Sequence, residues 1–179
     1  MPKNLVVCCD GTNNEFEEHR TNVVKLSFAM VKDPARQLVY YHPGLGTMAA
    51  PGFVSKLGAW FARSIGSAFG YGVKNDIRDI YDFIMNHYEP GDRLFLFGFS
   101  RGAYTVRAVT SLLHMYGLTM RGNESMTRYL VRMLWAIRGL EAPRKPKYFQ
   151  LARDFKDALA GPMCKPHFLG VYDTVSSVG

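Results

Sequence analysis

The sequence predicts an α/β fold: a mostly parallel sheet with helices on both faces, in a single domain spanning 1–179. Three observations carry this. Short apolar runs alternate with segments of helical periodicity. The runs are apolar at successive positions rather than at every second one, as in strands buried on both faces. Each run closes on a turn signal and is followed by a helical stretch, not by a second strand. A chain of 179 residues is long enough to bury its own core. No internal repeat, low-complexity tract or domain boundary interrupts the pattern.

Leu5 to Cys9 is the first strand, stopped by Asp10-Gly11-Thr12-Asn13. Thr21 is a capping residue for a helix through Val24, Phe28 and Val31 that Pro34 brings to an end. Gln37 to Tyr41 is a second short strand, closed by Pro43-Gly44. Residues 49–71 are rich in glycine and aromatics, with a helix that lacks a clean stripe. The next helix is the clearest: Val73, Ile77, Ile80, Tyr81, Ile84 and Tyr88 share one face, and Glu89-Pro90-Gly91-Asp92 stops it. Arg93 to Phe99 is the third strand, and a helix begins after Ser100. Met126 to Ile137 and Tyr148 to Leu159 are amphipathic helices joined by a proline-rich basic loop. Pro166 to Tyr172 is the last strand, ending at Asp173-Thr174.

Composition narrows the function classes. Hydrophobic residues make up 47% and charged residues 21%, which excludes a disordered chain. The net charge of +7 suits peripheral contact with an anionic membrane surface, but the basic residues are scattered. Arg144, Lys145 and Lys147, the densest cluster, read as a solvated loop, and no nucleic-acid-binding motif accompanies the charge. The N-terminal apolar run is too short for a signal peptide, and no stretch approaches the ~18 apolar residues of a spanning helix. The expectation is a protein made in the cytoplasm and, if exported, exported without a signal peptide. Cys8 and Cys9 are adjacent on a strand and point to opposite faces, so they read as reduced core residues rather than a disulfide or metal site.

In a parallel sheet the chemistry gathers at the carboxyl ends of the strands. What the strands deliver there is Asp10-Gly11-Thr12, His42-Pro43-Gly44, Ser100 and Asp173. Gly98-Phe99-Ser100-Arg101-Gly102 fits G-x-S-x-G between a buried strand and a helix, the context of a nucleophile elbow. The glycines let strand and helix approach closely, and the corner lifts the Ser100 hydroxyl above the sheet at the positive end of the helix. The Arg101 N–H then faces an oxyanion. The bland reading is an ordinary βα turn containing a serine.

Asp10-Gly11-Thr12 is either the second half of an oxyanion hole, with Gly11 and Thr12 as donors, or a plain turn in which Asp10 bonds local amides. The same stretch approaches D-x-D-G-T of aspartyl-phosphate phosphatases, but Cys8 stands where their attacking aspartate would be. Asp173 emerges beside the strand carrying Ser100, as a triad acid would, or as a turn cap.

The ordered blocks VVCCDGTNN, YYHPGLGT, FGFSRGAYTVR and FLGVYDTVSSVG resemble the uncharacterised α/β-hydrolase domain family that includes type VI secretion phospholipase effectors. The resemblance implies a serine hydrolase acting on carboxylic esters, phospholipids among them, with Ser100 as nucleophile and Asp173 as acid. It favours the oxyanion reading of Gly11 and Thr12 and calls for no cofactor and no metal.

In this hydrolase order the histidine follows the acid, yet the sequence ends at Gly179, six residues after Asp173. His167 lies near the far end of the Asp173 strand, roughly 20 Å away. His114 is about 21 Å along the helix from Ser100, and His87 precedes the Ser100 strand. His19 and His42 follow strand ends on the correct edge and read as loop histidines. The expectation is the N-terminal part of a longer hydrolase, which alone does not turn over esters at a triad enzyme's rate. The alternative is a catalytically silent hydrolase-fold module that binds acyl ligands or partner proteins.

Overall fold

A computed structural model describes residues 2–11, 21–44, 67–138 and 145–174. Four strands, β1 (Asn4–Cys9), β2 (Gln37–His42), β3 (Arg93–Phe99) and β4 (Pro166–Tyr172), form one sheet in the order β2-β1-β3-β4. Every pairing is parallel, so all four carboxyl ends meet at one edge. Cys9 pairs with His42 on one side and Gly98 on the other, and Phe99 pairs with Tyr172. β3 is therefore an interior strand of the described sheet, as an elbow requires.

Among the described residues five helices accompany the sheet: α1 (Asn22–Ala29), α2 (Ser67–His87), α3 (Arg101–Tyr116), α4 (Glu124–Arg138) and α5 (Lys145–Leu159). The pleat of β1 divides the core. Leu5, Val7 and Cys9 join α2 and α3 in the large cluster, whereas Val6 and Cys8 face Val23 of α1 in a smaller one. Cys8 and Cys9 thus point to opposite faces as free thiols. Val73, Ile77, Ile80, Tyr81, Ile84 and Tyr88 are all buried, so the stripe read in α2 is its packed face.

Three details differ from the sequence reading. Thr21 does cap α1, accepting from the Val24 N–H at 3.2 Å, but Met30 turns extended and ends the helix after eight residues. Phe28, inside the helix, and Val31, beyond it, are both exposed. Lys145 and Lys147 lie in the first turn of α5, not in a loop, because Pro146 is tolerated where helical N–H groups have no acceptor. β4 is not covered on its two faces: Phe168, Leu169, Val171 and Tyr172 are 37–51% exposed. An apolar run records which residues can be buried, and β4 is the outer strand of the described sheet. The glycine- and aromatic-rich stretch through residue 66, together with Thr12 and His19, lies outside the described residues.

Candidate active site

Ser100 stands at the corner between β3 and α3 with φ 52° and ψ −117°. A non-glycine residue held there carries on the order of 1–3 kcal/mol of strain, which persists only where the surroundings fix it. The glycines are what fix it. A Cβ on Gly98 would come within 2.5 Å of the Gly102 carbonyl oxygen, and one on Gly102 would run into the Cys9 carbonyl. Strand, corner and helix are thus in backbone contact, and only glycine fits. The Ser100 N–H donates to the Tyr172 carbonyl at 2.9 Å, so the corner is also pinned to β4. The Ser100 side chain makes no capping bond to the helix, and the residue is half-buried. Its hydroxyl is neither packed away nor used by the helix. Arg101 heads α3, where backbone N–H groups lack intrahelical acceptors and the helix dipole is positive.

Asp173 follows directly on β4, exposed, with φ 44°. Since Phe99 pairs with Tyr172, Ser100 and Asp173 both lie one step past that pair on neighbouring strands. The two expected residues are brought together at one edge.

Asp10 is fully buried and its carboxylate is committed. Oδ1 accepts from the Gly11 N–H at 2.8 Å; Oδ2 accepts from Thr21 Oγ1 at 2.7 Å and from the Tyr41 hydroxyl at 3.0 Å. The expectation that Gly11 donates to an oxyanion needs correcting here, because the neighbouring carboxylate takes that N–H. The turn reading is the one these bonds match: Asp10 bonds a local amide.

His42 has both ring nitrogens engaged. Nδ1 accepts from the Gly44 N–H at 3.3 Å. Nε2 faces Asp76 Oδ1 at 3.9 Å and Asp79 Oδ2 at 3.8 Å. His114 sits in the last turn of α3, His87 stacks on Phe83, and His167 packs edge-on against Phe95. His42 ends β2 in register with Cys9, which in turn pairs with Gly98.

The sequence reading missed Asp76 and the direction of the Arg101 side chain. Arg101 Nε lies 3.6 Å from Asp76 Oδ2, with side-chain exposures of 4% and 2%. Burial raises the Asp76 carboxyl above its ordinary value, and His42 and Arg101 pull it back. One signal was available: Asp76 falls within the apolar stripe of α2, between Val73 and Ile77, where a carboxylate needs a partner. The thiols offer no rival nucleophile, since burial pushes Cys8 up to about 12 and Cys9 higher still.

Residues 3–179 match the family described as type VI secretion system, phospholipase effector Tle1-like, catalytic domain. The chain is also 34% identical over 189 aligned positions to the uncharacterised protein YEL023C of Saccharomyces cerevisiae, covering 99% of this chain and 27% of that one. The chain thus spans about a quarter of the length of the curated relative it matches. No solved structure matches it significantly.

Proposed function

Because the chain belongs to the family of Tle1-like phospholipase effector catalytic domains, we propose that it carries the nucleophile of a serine hydrolase cleaving carboxylic ester bonds in phospholipids. The observation that carries this reading is the Ser100 backbone, forced to positive φ between two obligatory glycines beside Asp173. An ordinary βα turn has no need of that strain.

In the proposed reaction an imidazole takes the Ser100 proton as Oγ attacks the acyl carbonyl. The tetrahedral oxyanion is held by the Arg101 N–H and by a donor following Gly11, for which Thr12 is the candidate. The imidazolium then protonates the departing alcohol, and water releases the acyl group by the same steps. Asp173 orients the imidazole and stabilises its charge. An imidazole between the two side chains needs a gap of roughly 6 to 9 Å, each hydrogen bond spanning about 3 Å. A histidine outside the described residues is the proposed source, in a protein longer than this chain as the matched relative is. The net charge of +7 suits substrate presented on an anionic lipid surface. No helix among the described residues is long and apolar enough to cross a membrane.

The test compares the 179-residue chain with a C-terminally extended one on short acyl esters and phospholipid vesicles, each with a Ser100→Ala control. The reading expects Ser100-dependent turnover in the extended chain and a loss of about 10⁴-fold or more in the short one. An extended chain that binds lipid yet hydrolyses no ester would favour the silent acyl-binding module instead.

A further inference from the structure

We infer that Arg101 serves the site twice: its N–H faces the oxyanion, and its buried guanidinium, paired with Asp76, is a strut fixing the elbow against the loops after β1 and β2. The inference rests on the hydrolase reading for its catalytic half and on geometry alone for the strut. An arginine beside a nucleophile would ordinarily be taken for a cation that binds an anionic substrate. Here the side chain is 4% exposed and turned inward, so it cannot meet a headgroup.

What it meets instead joins three separate segments. Asp76 belongs to α2, so the ion pair ties the first residue of α3 to the helix packed beside it. Gly44, which follows β2 with φ +72°, lies against the same guanidinium: a Cβ there would be 2.8 Å from an Arg101 terminal nitrogen and 3.0 Å from the Asp10 carbonyl oxygen. It would also collide with the Gly11 carbonyl oxygen. The guanidinium therefore sits beneath the place where the Asp10-Gly11 and Pro43-Gly44 turns cross. His42 closes the cluster by facing Asp76 from the other side. The backbone that presents one oxyanion donor and the turn leading to the other are held to a common interior group. Arg101 through its guanidinium, and Asp76, are positioning residues.

A buried pair of this kind contributes little net stability, and replacing both members with apolar residues is often tolerated, whereas removing one leaves a buried charge. That separates positioning from folding. In the full-length protein, Asp76→Asn, Arg101→Met and the double variant Asp76→Leu with Arg101→Met are compared with wild type. The readouts are Tm, kcat and KM on phospholipid vesicles, and hydrogen exchange of peptides covering Cys9–Gly11 and Gly98–Ala103. The single variants lose Tm. The double variant regains most of it but keeps a kcat about a hundredfold below wild type, the scale of one lost oxyanion donor, with KM within about twofold. Both peptides exchange faster in all three variants. A double variant that recovers kcat along with Tm would show the pair to be purely structural and overturn its role in positioning. Unchanged exchange in both peptides would overturn the strut whatever the enzyme hydrolyses. Wild-type turnover that survives Ser100→Ala would instead sink the hydrolase reading, and with it the catalytic half alone.

Discussion

Ser100 and Asp173 leave neighbouring parallel strands one step beyond the same pair, Phe99 with Tyr172, and both turn off the sheet with positive φ, 52° and 44°. Among the described residues they are the two non-glycine positions with that backbone, and the Ser100 N–H donates across the gap to Tyr172. The Ser100 corner, at ψ −117°, is the costlier of the two, because aspartate is among the residues that enter the left-handed region most readily.

Replacing Ser100 therefore separates stability from activity. Ser100→Gly relieves roughly 1–3 kcal/mol of strain and gives back about 0.5–1 kcal/mol in chain entropy, for a net gain of about 1 kcal/mol. Ser100→Ala keeps the strain and changes stability little. Both variants lose Ser100-dependent turnover. Urea unfolding checks the stabilities, and a Ser100→Gly protein less stable than wild type would contradict the strain account.

The elbow glycines admit no side chain. Gly98→Ala presses a methyl against the Gly102 carbonyl and the Ala103 backbone, and Gly102→Ala presses one against β1 at Cys9. With backbone on each side, neither can relax cheaply, and a loss of about 3 kcal/mol or more is expected for each. Gly122→Ala meets nothing within 4 Å, although its φ of +85° still strains an alanine. It should cost about 1 kcal/mol, the backbone penalty alone. Equal losses at all three positions by thermal unfolding would refute the packing argument.

Most of the architecture was legible because a parallel sheet writes itself as apolar runs, and α2 carries a buried stripe from Val73 to Ile84 that Tyr88 extends just past its end. The elbow was legible for a local reason: both glycines and the serine lie within five residues. What stayed hidden was direction and distance. Nothing in Arg101 itself says that its side chain turns inward, and its partner Asp76 is 25 positions earlier on another helix. The Gly11 N–H looked available until the preceding carboxylate was seen to claim it. A short helix such as α1, with only Val23 and Val24 buried, leaves too few inward positions to fix its end.

The amino end of the sheet carries a pH dependence of its own. Burial alone would raise the Asp92 carboxyl, but hydrogen bonds from the Lys3 side chain and N–H and from the Glu89 N–H, with the Lys3 charge, hold it below its ordinary value of 3.8. A carboxyl lowered on folding stabilises fully above its unfolded pKa and stops doing so as pH falls through the folded one. Wild type should exceed Asp92→Asn in stability by a constant margin above about pH 5, and the margin should shrink below pH 3.8. Denaturant melts across that range decide it. A margin that widens on acidification would contradict the assignment.

The central claim is that Ser100 is the nucleophile, and covalent capture tests it most directly. Full-length protein is treated with a fluorophosphonate, which phosphonylates activated serines with loss of fluoride, and its mass and modified peptide are read by mass spectrometry. The account predicts one adduct, on the peptide containing Gly98–Gly102, lost in Ser100→Ala and slowed in Asp173→Asn. Labelling at another residue, or ester turnover that persists undiminished in Ser100→Ala, would contradict it.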